Sequence, residues 1–288
     1  SGMVGSAMAL DLAKSHTVSL SDNNLESLNK IKSQNNSINI YQLDVQNRIA
    51  LQKWIKPADI VLLAVPGFLG YESLKTIINC GKDVVDISFS PENILTLDQL
   101  AKEKNVTAIV DAGVAPGIPN FLLGYWNAKM KINSFDYCVG GLPKNPSPPY
   151  NYKAPFSPID VIEEYTRPAR MMIDSKVVTK AALTDLEIFH FSEVGKLEAF
   201  NTDGLRSLLK TMKHIPNMKE KTLRYPGHAK LMQSMIDEGL FDNNNFDDTV
   251  KKLFKDWKLE ENEPEFTVLD INIYGDTKNI HYHLYDEM

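Results

Sequence analysis

The residues best placed for chemistry near the start of the chain are two glycines and an aspartate. Gly2 and Gly5 are followed by a helix-forming run and then by Asp22, which ends a short apolar segment 20 residues after Gly2. This is the second half of a G-x-G-x-x-G dinucleotide fingerprint, whose first glycine and strand we expect upstream of Ser1. Gly2 would let the backbone approach a pyrophosphate at the helix N-terminus, and Gly5 would let the helix pack closely on a sheet. The alternative is a glycine-rich turn before an ordinary amphipathic helix.

Asp22 also predicts which dinucleotide binds. A carboxylate at this position accepts hydrogen bonds from the adenosine ribose hydroxyls and repels a 2′-phosphate. Asn23 and Asn24 are neutral, and the next cation along the chain is Lys30. The sequence therefore predicts NAD in preference to NADP.

Alternating strands and helices would position this site. Strands are predicted at Thr17–Leu20, Ile38–Leu43, Ile60–Val65, Asp83–Ser88 and Val106–Val110, with helices at Asn24–Lys32, Arg48–Ile55, Tyr71–Cys80 and Leu95–Lys104. This rhythm predicts an α/β domain with a Rossmann-type doubly wound parallel sheet, whose ligands lie beyond the carboxyl ends of the strands. The predicted cofactor site therefore comprises Gly2, Met3, Val4, Gly5, Asp22, Asn23, Asp44, Val45, Val65, Pro66 and Ser88.

The pattern changes after a predicted helix at Ile118–Met130. Hairpin-like stretches follow, and the late segments Phe266–Tyr274 and Asn279–Tyr285 alternate as strands do. Helices are predicted at Leu205–Lys213 and Gly227–Glu238, and a solvated loop at Asp242–Asp248. We therefore expect two domains, a dinucleotide-binding domain over residues 1–117 and an α+β substrate and dimerisation domain over residues 118–288. The apolar residues on both faces of the late strands predict a homodimer.

Composition excludes several classes of protein. The 288 residues carry a net charge of −6, with 43% apolar and 24% charged residues. That balance argues against disorder and against nucleic acid as a partner, and no apolar run is long enough to span a membrane. Cys80 and Cys138 provide neither a disulfide framework nor a CxxC metal motif, so we expect a reducing, cytoplasmic location. We also expect the chain to be part of a longer protein.

Several motifs, in order along the chain, resemble one known family. They are Asp111–Asn120, Val139–Pro143, Tyr152-Lys153 with Phe156-Ser157-Pro158, Glu164–Pro168, Thr202–Arg206 and Thr222–His228. Together they are similar to the saccharopine dehydrogenase family, closest to its lysine 6-dehydrogenase-like branch. Ala115 stands where saccharopine reductases have Asp, and Val139 where they have Cys, with Cys138 facing the other side of its strand. Both departures favour the lysine dehydrogenase-like branch.

The resemblance implies oxidation of the C–N bond of a lysine-like amino acid by hydride transfer to NAD. The substrate carboxylate then needs a cation, for which Arg224 is the first choice, before Arg206 and Arg167. A surface ion pair is the alternative for Arg224, and a salt bridge on a helix surface is the alternative for Arg167. Tyr225, beside Arg224, and Asp160 are further candidates for substrate binding, although Asp160 could instead belong to a helix start.

His228 and Asp203 are the candidates for proton transfer. Histidine suits this role near neutral pH, but His228 could equally be a satisfied polar residue at a helix start. Asp203 could bind the distal ammonium of a lysine-like substrate or act as the general base, and it could also cap a helix. His281 and His283 alternate on one strand, which we interpret as a solvated face with no metal site. The rival functions are a saccharopine or carboxynorspermidine dehydrogenase and, from another class, a non-catalytic NAD-binding sensor or interaction protein.

Overall fold

A computed structural model of the chain describes residues 1–154, 157–260 and 263–287, so that Phe156 of the motifs above lies outside the described residues. The chain divides into two compact units, Ser1–Gly113 and Val114–Met288. The division falls four residues before the predicted boundary. The segment before Ile118 belongs to the second unit for two reasons. The carbonyl oxygen of Val114 accepts a hydrogen bond from the N–H of Ile118. Ala115 packs on a hydrophobic core of the second unit.

The first unit alternates helices and parallel strands. Its elements are α1 (Met3–Leu12), β1 (Ser19–Asp22), α2 (Leu25–Gln34), β2 (Asn39–Gln42), α3 (Arg48–Ile55), β3 (Ile60–Leu63), α4 (Gly67–Asn79), β4 (Asp83–Asp86), α5 (Asp98–Lys104) and β5 (Ala108–Ile109). The strands β1 and β2 pair in parallel, as do β3 with β4 and β4 with β5. Within the described residues these are two separate parallel sets, where the sequence predicted one continuous sheet.

Local capping explains where helices of this unit begin. The side chain of Asn24 accepts a hydrogen bond from the N–H of Ser27 at the start of α2, and Asn47 does the same for Ala50 in α3. Such caps satisfy N–H groups that have no carbonyl within the helix. Leu74, in the middle of α4, is fully buried and fixes that helix on the strands.

The second unit is built on one large mixed sheet. Its elements are α6 (Ile118–Asn127), β6 (Ile132–Pro143), α7 (Pro158–Thr166), β7 (Ala169–Ile173), β8 (Lys176–Lys180), β9 (Glu187–Phe191), β10 (Gly195–Asn201), α8 (Leu208–Thr211), β11 (Asn217–Arg224), α9 (His228–Asp237), α10 (Phe246–Asp256), β12 (Glu265–Gly275) and β13 (Asn279–Glu287). The strand order is β13-β12-β6-β11-β10-β9, and β7 pairs with both β11 and β8. Only β11 and β6 pair in parallel among these described strands.

Hydrophobic cores cover both faces of this sheet. Cys138 belongs to one core, with Trp257, Leu223 and helix α9, whereas Val139 packs against the other, with Phe135. Adjacent residues of a strand face opposite sides, so Cys138 does face away from Val139, as the sequence predicted. Among the described residues, no helix has the length and apolar character needed to cross a bilayer.

Three elements of the second unit differ from the prediction. The helix expected at Leu205–Lys213 is limited to Leu208–Thr211, and the loop expected at Asp242–Asp248 ends in a helix that begins at Phe246. The strand β11 was not predicted, because its alternating Lys and Glu side chains are typical of a solvated segment. It lies inside the sheet between β6 and β10.

Candidate functional site

The predicted cofactor residues lie at the carboxyl ends of the parallel strands. Asp22 ends β1, and Asp44, Val65 and Ser88 follow β2, β3 and β4 within a few residues. The start of α1 lies beside two of these ends. The nitrogen of Ser1 is 2.7 Å from Asp22 Oδ2, and a Cβ on Gly5 would lie 3.9 Å from that of Ala64. Parallel α/β sheets bind ligands at this edge.

The two glycines of the fingerprint differ in their surroundings. A Cβ added to Gly2 would meet no atom within 4 Å, so the backbone that precedes α1 is open to a ligand. At Gly5 the 3.9 Å approach to Ala64 is an ordinary van der Waals contact. A Cβ would therefore fit at position 5, so the packing of α1 does not by itself require glycine there. Met3 and Val4, which open α1, are exposed.

The side chains along this edge are partly engaged in turns. Asp22 Oδ1 accepts a hydrogen bond from the N–H of Asn24 at 2.9 Å, and Asp44 Oδ1 accepts one from the N–H of Gln46 at the same distance. Asp44 is exposed, whereas Asp22 is half-buried. The remaining predicted positions are Asn23, which is exposed, and Val45, Val65 and Pro66, which are half-buried, with Pro66 directly before α4.

Asp86 is a buried carboxylate at this edge that the sequence analysis did not assign. Its Oδ1 accepts hydrogen bonds from the N–H of Ser88 at 2.8 Å and from the Ser88 hydroxyl at 2.6 Å. Its Oδ2 is buried and has no hydrogen-bond partner among the described residues. Burial raises the pKa of Asp86 to about 6. The sequence signal that could have identified Asp86 as a site residue is an acidic residue at the end of a buried parallel strand.

These residues fit a nicotinamide dinucleotide. The open backbone at Gly2 and the N–H groups that begin α1 suit a pyrophosphate, and the half-buried Asp22 ends β1 at the same edge. The unsatisfied Asp86 Oδ2 would accept a hydrogen bond from a donor of the ligand. The chemistry of this edge is therefore that of binding and orienting the dinucleotide.

In the second unit, Arg224 lies at the centre of a buried polar network. Its Nη2 donates to Glu164 Oε2 at 2.7 Å, and its Nε donates to the Tyr165 hydroxyl at 3.1 Å. The guanidinium also lies 4.4 Å from the ring centroid of Tyr152. Only 3% of the Arg224 side chain is exposed. The predicted role of Arg224 as a carboxylate clamp stays a prediction, and a substrate would have to compete with Glu164.

His228 belongs to the same network. Its Nδ1 lies 2.8 Å from the Tyr150 carbonyl oxygen, so this nitrogen donates, and its Nε2 accepts from the Tyr165 hydroxyl at 2.9 Å. Burial, reinforced by the Arg224 charge, lowers the pKa of His228 to about 3. Both nitrogens are engaged and the ring is neutral at physiological pH. The geometry therefore weighs against His228 as the proton acceptor that the sequence predicted.

Asp203 brings two arginines together. The carboxylate accepts from Arg170 Nε at 2.9 Å and Nη2 at 2.7 Å, and from Arg206 Nη1 at 3.1 Å. Asp203 is almost fully buried, but 44% of the Arg170 side chain is exposed. Two guanidinium groups thus share one buried carboxylate. The sequence analysis missed Arg170, which has no motif of its own and is identified only through Asp203.

The other predicted substrate residues are dispersed. Arg167, whose side chain is only 16% exposed, forms an ion pair with Glu163 one turn earlier in α7. Asp160 is buried in the first turn of α7. The Tyr225 hydroxyl donates to the Pro143 carbonyl oxygen at 2.9 Å. None of these contacts joins the three residues to Asp203.

Glu220 is a second buried acid that the sequence analysis missed. It accepts hydrogen bonds from the Thr202 hydroxyl at 2.7 Å and from the N–H of Gly204 at 2.9 Å. Burial raises the pKa of Glu220 to about 8 despite these opposing hydrogen bonds. The Lys-Glu-Lys pattern around it gave no sign that this side chain is buried.

His281 and His283 share one partner on the sheet. Their nitrogens lie 2.7 and 3.3 Å from Asp270 Oδ2, and His283 Nε2 is also 3.4 Å from Glu193. No group of three or more His, Cys, Asp or Glu side chains suited to a metal ion occurs in the part of the chain that the structure describes.

Family models match both units of the chain. Residues 1–109 match the saccharopine dehydrogenase NADP binding domain, and residues 113–287 match the saccharopine dehydrogenase C-terminal domain. The chain belongs to the saccharopine dehydrogenase family. This membership confirms the predicted family, the α/β dinucleotide-binding fold of the first unit and the mixed-sheet fold of the second. The dinucleotide-binding domain is of the NAD(P) type.

Other members of the saccharopine dehydrogenase family are distant in sequence. The chain is 28% identical over 230 residues to the NADP(+), L-glutamate-forming saccharopine dehydrogenase of Pyricularia oryzae, covering 75% of this chain and 50% of that protein. It is 26% identical over 217 residues to the alpha-aminoadipic semialdehyde synthase of Arabidopsis thaliana, covering 70% of this chain and 20% of that protein. The chain thus spans half or less of the length of these relatives.

Solved structures show the same fold. The apo saccharopine dehydrogenase (L-Glu forming) of Saccharomyces cerevisiae superposes with a TM-score of 0.73 at 18% identity, over 100% of this chain and 84% of that chain. The homospermidine synthase of Legionella pneumophila, solved in complex with NAD, gives a TM-score of 0.63 at 15% identity, over 99% of this chain and 76% of that chain. At these identities the likeness concerns the fold alone.

Proposed function

We propose that the chain is an NAD(P)-dependent dehydrogenase that oxidises a C–N bond of an amino-acid substrate. A bound nicotinamide would supply the hydride acceptor, and the protein would bind, orient and shield the substrate. The observation that carries this proposal is the Arg170–Asp203–Arg206 cluster in the family's C-terminal domain. The Arg170 side chain is 44% exposed, so its guanidinium can donate charge-assisted hydrogen bonds to a substrate carboxylate. Membership of the saccharopine dehydrogenase family supports the reaction class.

A lysine-like substrate, as for lysine 6-dehydrogenase, is the finer form of the proposal. It rests on Ala115 and Val139, which stand where the family resemblance implies an Asp and a Cys in saccharopine reductases. The second candidate is an L-glutamate-forming saccharopine dehydrogenase, the activity in the name of the Pyricularia relative. Its larger substrate carries more carboxylates and would need more than one cation.

A screen for NADH and NADPH formation tests the proposal. Lysine, saccharopine and carboxynorspermidine would each be offered to the full chain, with the products identified by mass spectrometry. Turnover of lysine supports the finer proposal, and turnover of saccharopine alone supports the second candidate. Dinucleotide binding without turnover of any of the three would instead favour the non-catalytic sensor or interaction protein.

Arg170→Gln tests the substrate-binding cluster. We expect KM for the amino-acid substrate to rise at least about tenfold, with kcat little changed, since a charge-assisted hydrogen bond contributes roughly 1.5–3 kcal/mol. The half-exposed side chain should tolerate the change, and steady-state kinetics measures it. Arg48→Gln, which removes an exposed arginine paired with Glu72, is the matched control. An unchanged KM would remove Arg170 from the site.

Asp22 tests the choice of dinucleotide. We expect NAD to bind at least about tenfold more tightly than NADP, equivalent to about 1.4 kcal/mol. Asp22→Ala should narrow the gap, chiefly by weakening NAD, because it removes the acceptor for the ribose hydroxyls. Titration calorimetry with both dinucleotides measures it, with Asp98→Ala, at an exposed acid of α5 outside the predicted site, as a matched control. Equal or tighter binding of NADP to the unmutated protein would contradict the assignment.

We also propose a homodimer. The apolar side chains of β12, Leu269, Ile271 and Ile273, are buried within the chain, but β13 beside it is an edge strand whose apolar residues are only half-buried. An edge strand offers unpaired backbone groups to a second copy. Sedimentation velocity at micromolar concentration should therefore give a dimer of the 32.4 kDa chain. A monomer at that concentration would refute the proposal.

A further inference from the structure

Two neighbouring strands of the second unit hold the backbone of Gly204 from both sides. Glu220 of β11 and Tyr137 of β6 are opposite each other in the parallel register of these strands. Glu220 Oε2 accepts a hydrogen bond from the N–H of Gly204 at 2.9 Å, and the Tyr137 hydroxyl donates to the Gly204 carbonyl oxygen at 2.9 Å. Both polar backbone groups of Gly204 are therefore fixed to the sheet.

Glu220 approaches this segment so closely that only glycine fits at position 204. A Cβ on Gly204 would lie 2.5 Å from Glu220 Cδ, whereas carbon atoms in contact are about 3.5–4.0 Å apart. The Thr202 hydroxyl lies 2.8 and 2.7 Å from the two carboxyl oxygens of Glu220. Glu220 therefore holds both the residue before Asp203 and the residue after it.

Asp203, held in this way, determines where two arginine side chains lie. Its carboxylate accepts the hydrogen bonds from Arg170 and Arg206 described above, and its Oδ1 also accepts from the backbone N–H of Arg170 at 3.2 Å. The side chains of Asp203 and Arg206 are 2% and 7% exposed, whereas that of Arg170 is 44% exposed. Through the segment 202–204, the buried Glu220 therefore sets the position of the exposed Arg170 guanidinium.

The charge state of Glu220 is coupled to the same cluster. Burial is the main reason that the pKa of Glu220 is raised to about 8, and the charges of Glu164 on α7 and of Asp203 act in the same direction. The arginines near these two acids are already paired with them. Lys219 and Lys221 flank Glu220 in β11 and face the opposite side of the sheet. Ionisation of Glu220 would therefore add a negative charge beside Asp203 and weaken the attraction of the cluster for a further carboxylate.

We propose that Glu220 is a positioning residue, which in its neutral state sets the Arg170–Asp203–Arg206 cluster to bind a substrate carboxylate. In this role Glu220 does not touch the substrate, because it acts through Asp203. The inference rests on the proposed function, in which this cluster is the carboxylate site. Its consequence is that a carboxylate should bind more weakly once Glu220 has lost its proton.

NMR of the arginine side chains of the full chain gives a local readout that does not depend on turnover. The Arg170 Nε and Cζ resonances, assigned by their loss in Arg170→Gln, should titrate with the pKa of Glu220, about 8. In Glu220→Gln this titration should be absent, because the glutamine amide has no proton to lose. Thr202→Val, which removes a hydrogen bond to the carboxylate, should move the midpoint to higher pH. The resonances of Arg48, an exposed arginine of the first unit, are the internal control and should not respond.

Titration with glutarate, whose two carboxylates stay ionised throughout this pH range, measures carboxylate binding on the same resonances. We expect the unmutated protein to bind glutarate at least about threefold more weakly at about pH 9.5 than at about pH 6.5. Glu220→Gln should bind it equally at both pH values, and as tightly as the unmutated protein does at the lower one. Glu238→Gln, which changes an exposed acid after α9, is the matched control and should respond to pH as the unmutated protein does.

The outcomes separate the role of Glu220 from the proposed function. The positioning role is overturned if the Arg170 resonances respond to pH in the same way in the unmutated protein and in Glu220→Gln. Binding of glutarate that is equally tight at both pH values in the unmutated protein overturns it as well. If Arg170 titrates through Glu220 but glutarate does not bind up to about 50 mM, Glu220 does set the cluster, and the carboxylate site of the proposed function is wrong.

Discussion

Replacing Arg224 with methionine is expected to destabilise the second unit by about 3–5 kcal/mol, since the change leaves a largely buried carboxylate without its cation. Glu164, whose side chain is 18% exposed, pairs with Arg224 Nη2 at 2.7 Å. Tyr165 loses the donor that orients its hydroxyl towards His228. The loss should be visible as a lower midpoint of urea unfolding, monitored by the fluorescence of the buried Trp257.

A second variant separates the ion pair from the shape of the side chain. Glu164→Gln combined with Arg224→Met removes both charges, so much of the lost stability should return. Arg48→Met, which replaces an exposed arginine in the first unit, is the matched control and should cost no more than about 0.5 kcal/mol. If Arg224→Met alone unfolds at the same urea concentration as the unmutated protein, the network does not hold the unit together.

The same double variant tests the predicted carboxylate clamp. If Arg224 binds the substrate, the folded Glu164→Gln, Arg224→Met double variant should lack activity although its stability has recovered. If Arg224 only holds Glu164, Tyr165 and Tyr152 in place, activity should return with stability. The experiment therefore distinguishes the sequence-based prediction from the structural role that the observed contacts suggest.

The fold of the first unit could be predicted because local patterns and tertiary structure agree there. The apolar run that contains β3 is typical of a buried parallel strand, and the interval from Gly2 to Asp22 matches a dinucleotide site. The carboxylate of Asp86 was not predicted as a site residue. Only the structure shows that one of its oxygens is buried and has no hydrogen-bond partner in the part of the chain that it describes.

The second unit was harder to predict because it buries charged residues inside its sheet. The strand β11 contains Glu220, Lys221 and Arg224, all buried, in a sequence whose polar character is typical of a solvated segment. Their burial is tolerated because Thr202, Glu187 and Glu164 supply partners from distant parts of the chain. No spacing rule connects residues so far apart in sequence.

The candidate site shows the same limitation. The sequence predicted Asp203 and Arg206 as site residues, but it could not show that Arg170 shares the Asp203 carboxylate. It also could not show that His228 is locked between Tyr150 and Tyr165. A residue type indicates what a side chain can do, whereas burial and partners decide its charge state.

Glu220→Gln should remove a loss of stability that the unmutated protein suffers above neutral pH. The pKa of Glu220 is raised by burial from its ordinary value of 4.5 to about 8, so the folded state holds a proton that the unfolded state has lost. Stability therefore falls as pH rises between these values. The pKa of His228 is lowered from 6.5 to about 3. The contribution of His228 to the free energy of unfolding therefore rises with pH up to about 6.5, and it offsets the falling contribution of Glu220.

The two contributions cancel between about pH 4.5 and 6.5, and only that of Glu220 acts above this range. We therefore expect the unmutated protein to lose about 1 kcal/mol between pH 6.5 and pH 8, because the slope reaches its limit of about 1.4 kcal/mol per pH unit only well between the two pKa values. Glutamine keeps the shape of the neutral acid and can still accept from Thr202 and Gly204, so Glu220→Gln should not show this loss. Urea unfolding at both pH values measures it, with Glu238→Gln, at an exposed acid after α9, as control. Equal pH dependence in the unmutated protein and Glu220→Gln would mean that Glu220 is ionised in the folded chain.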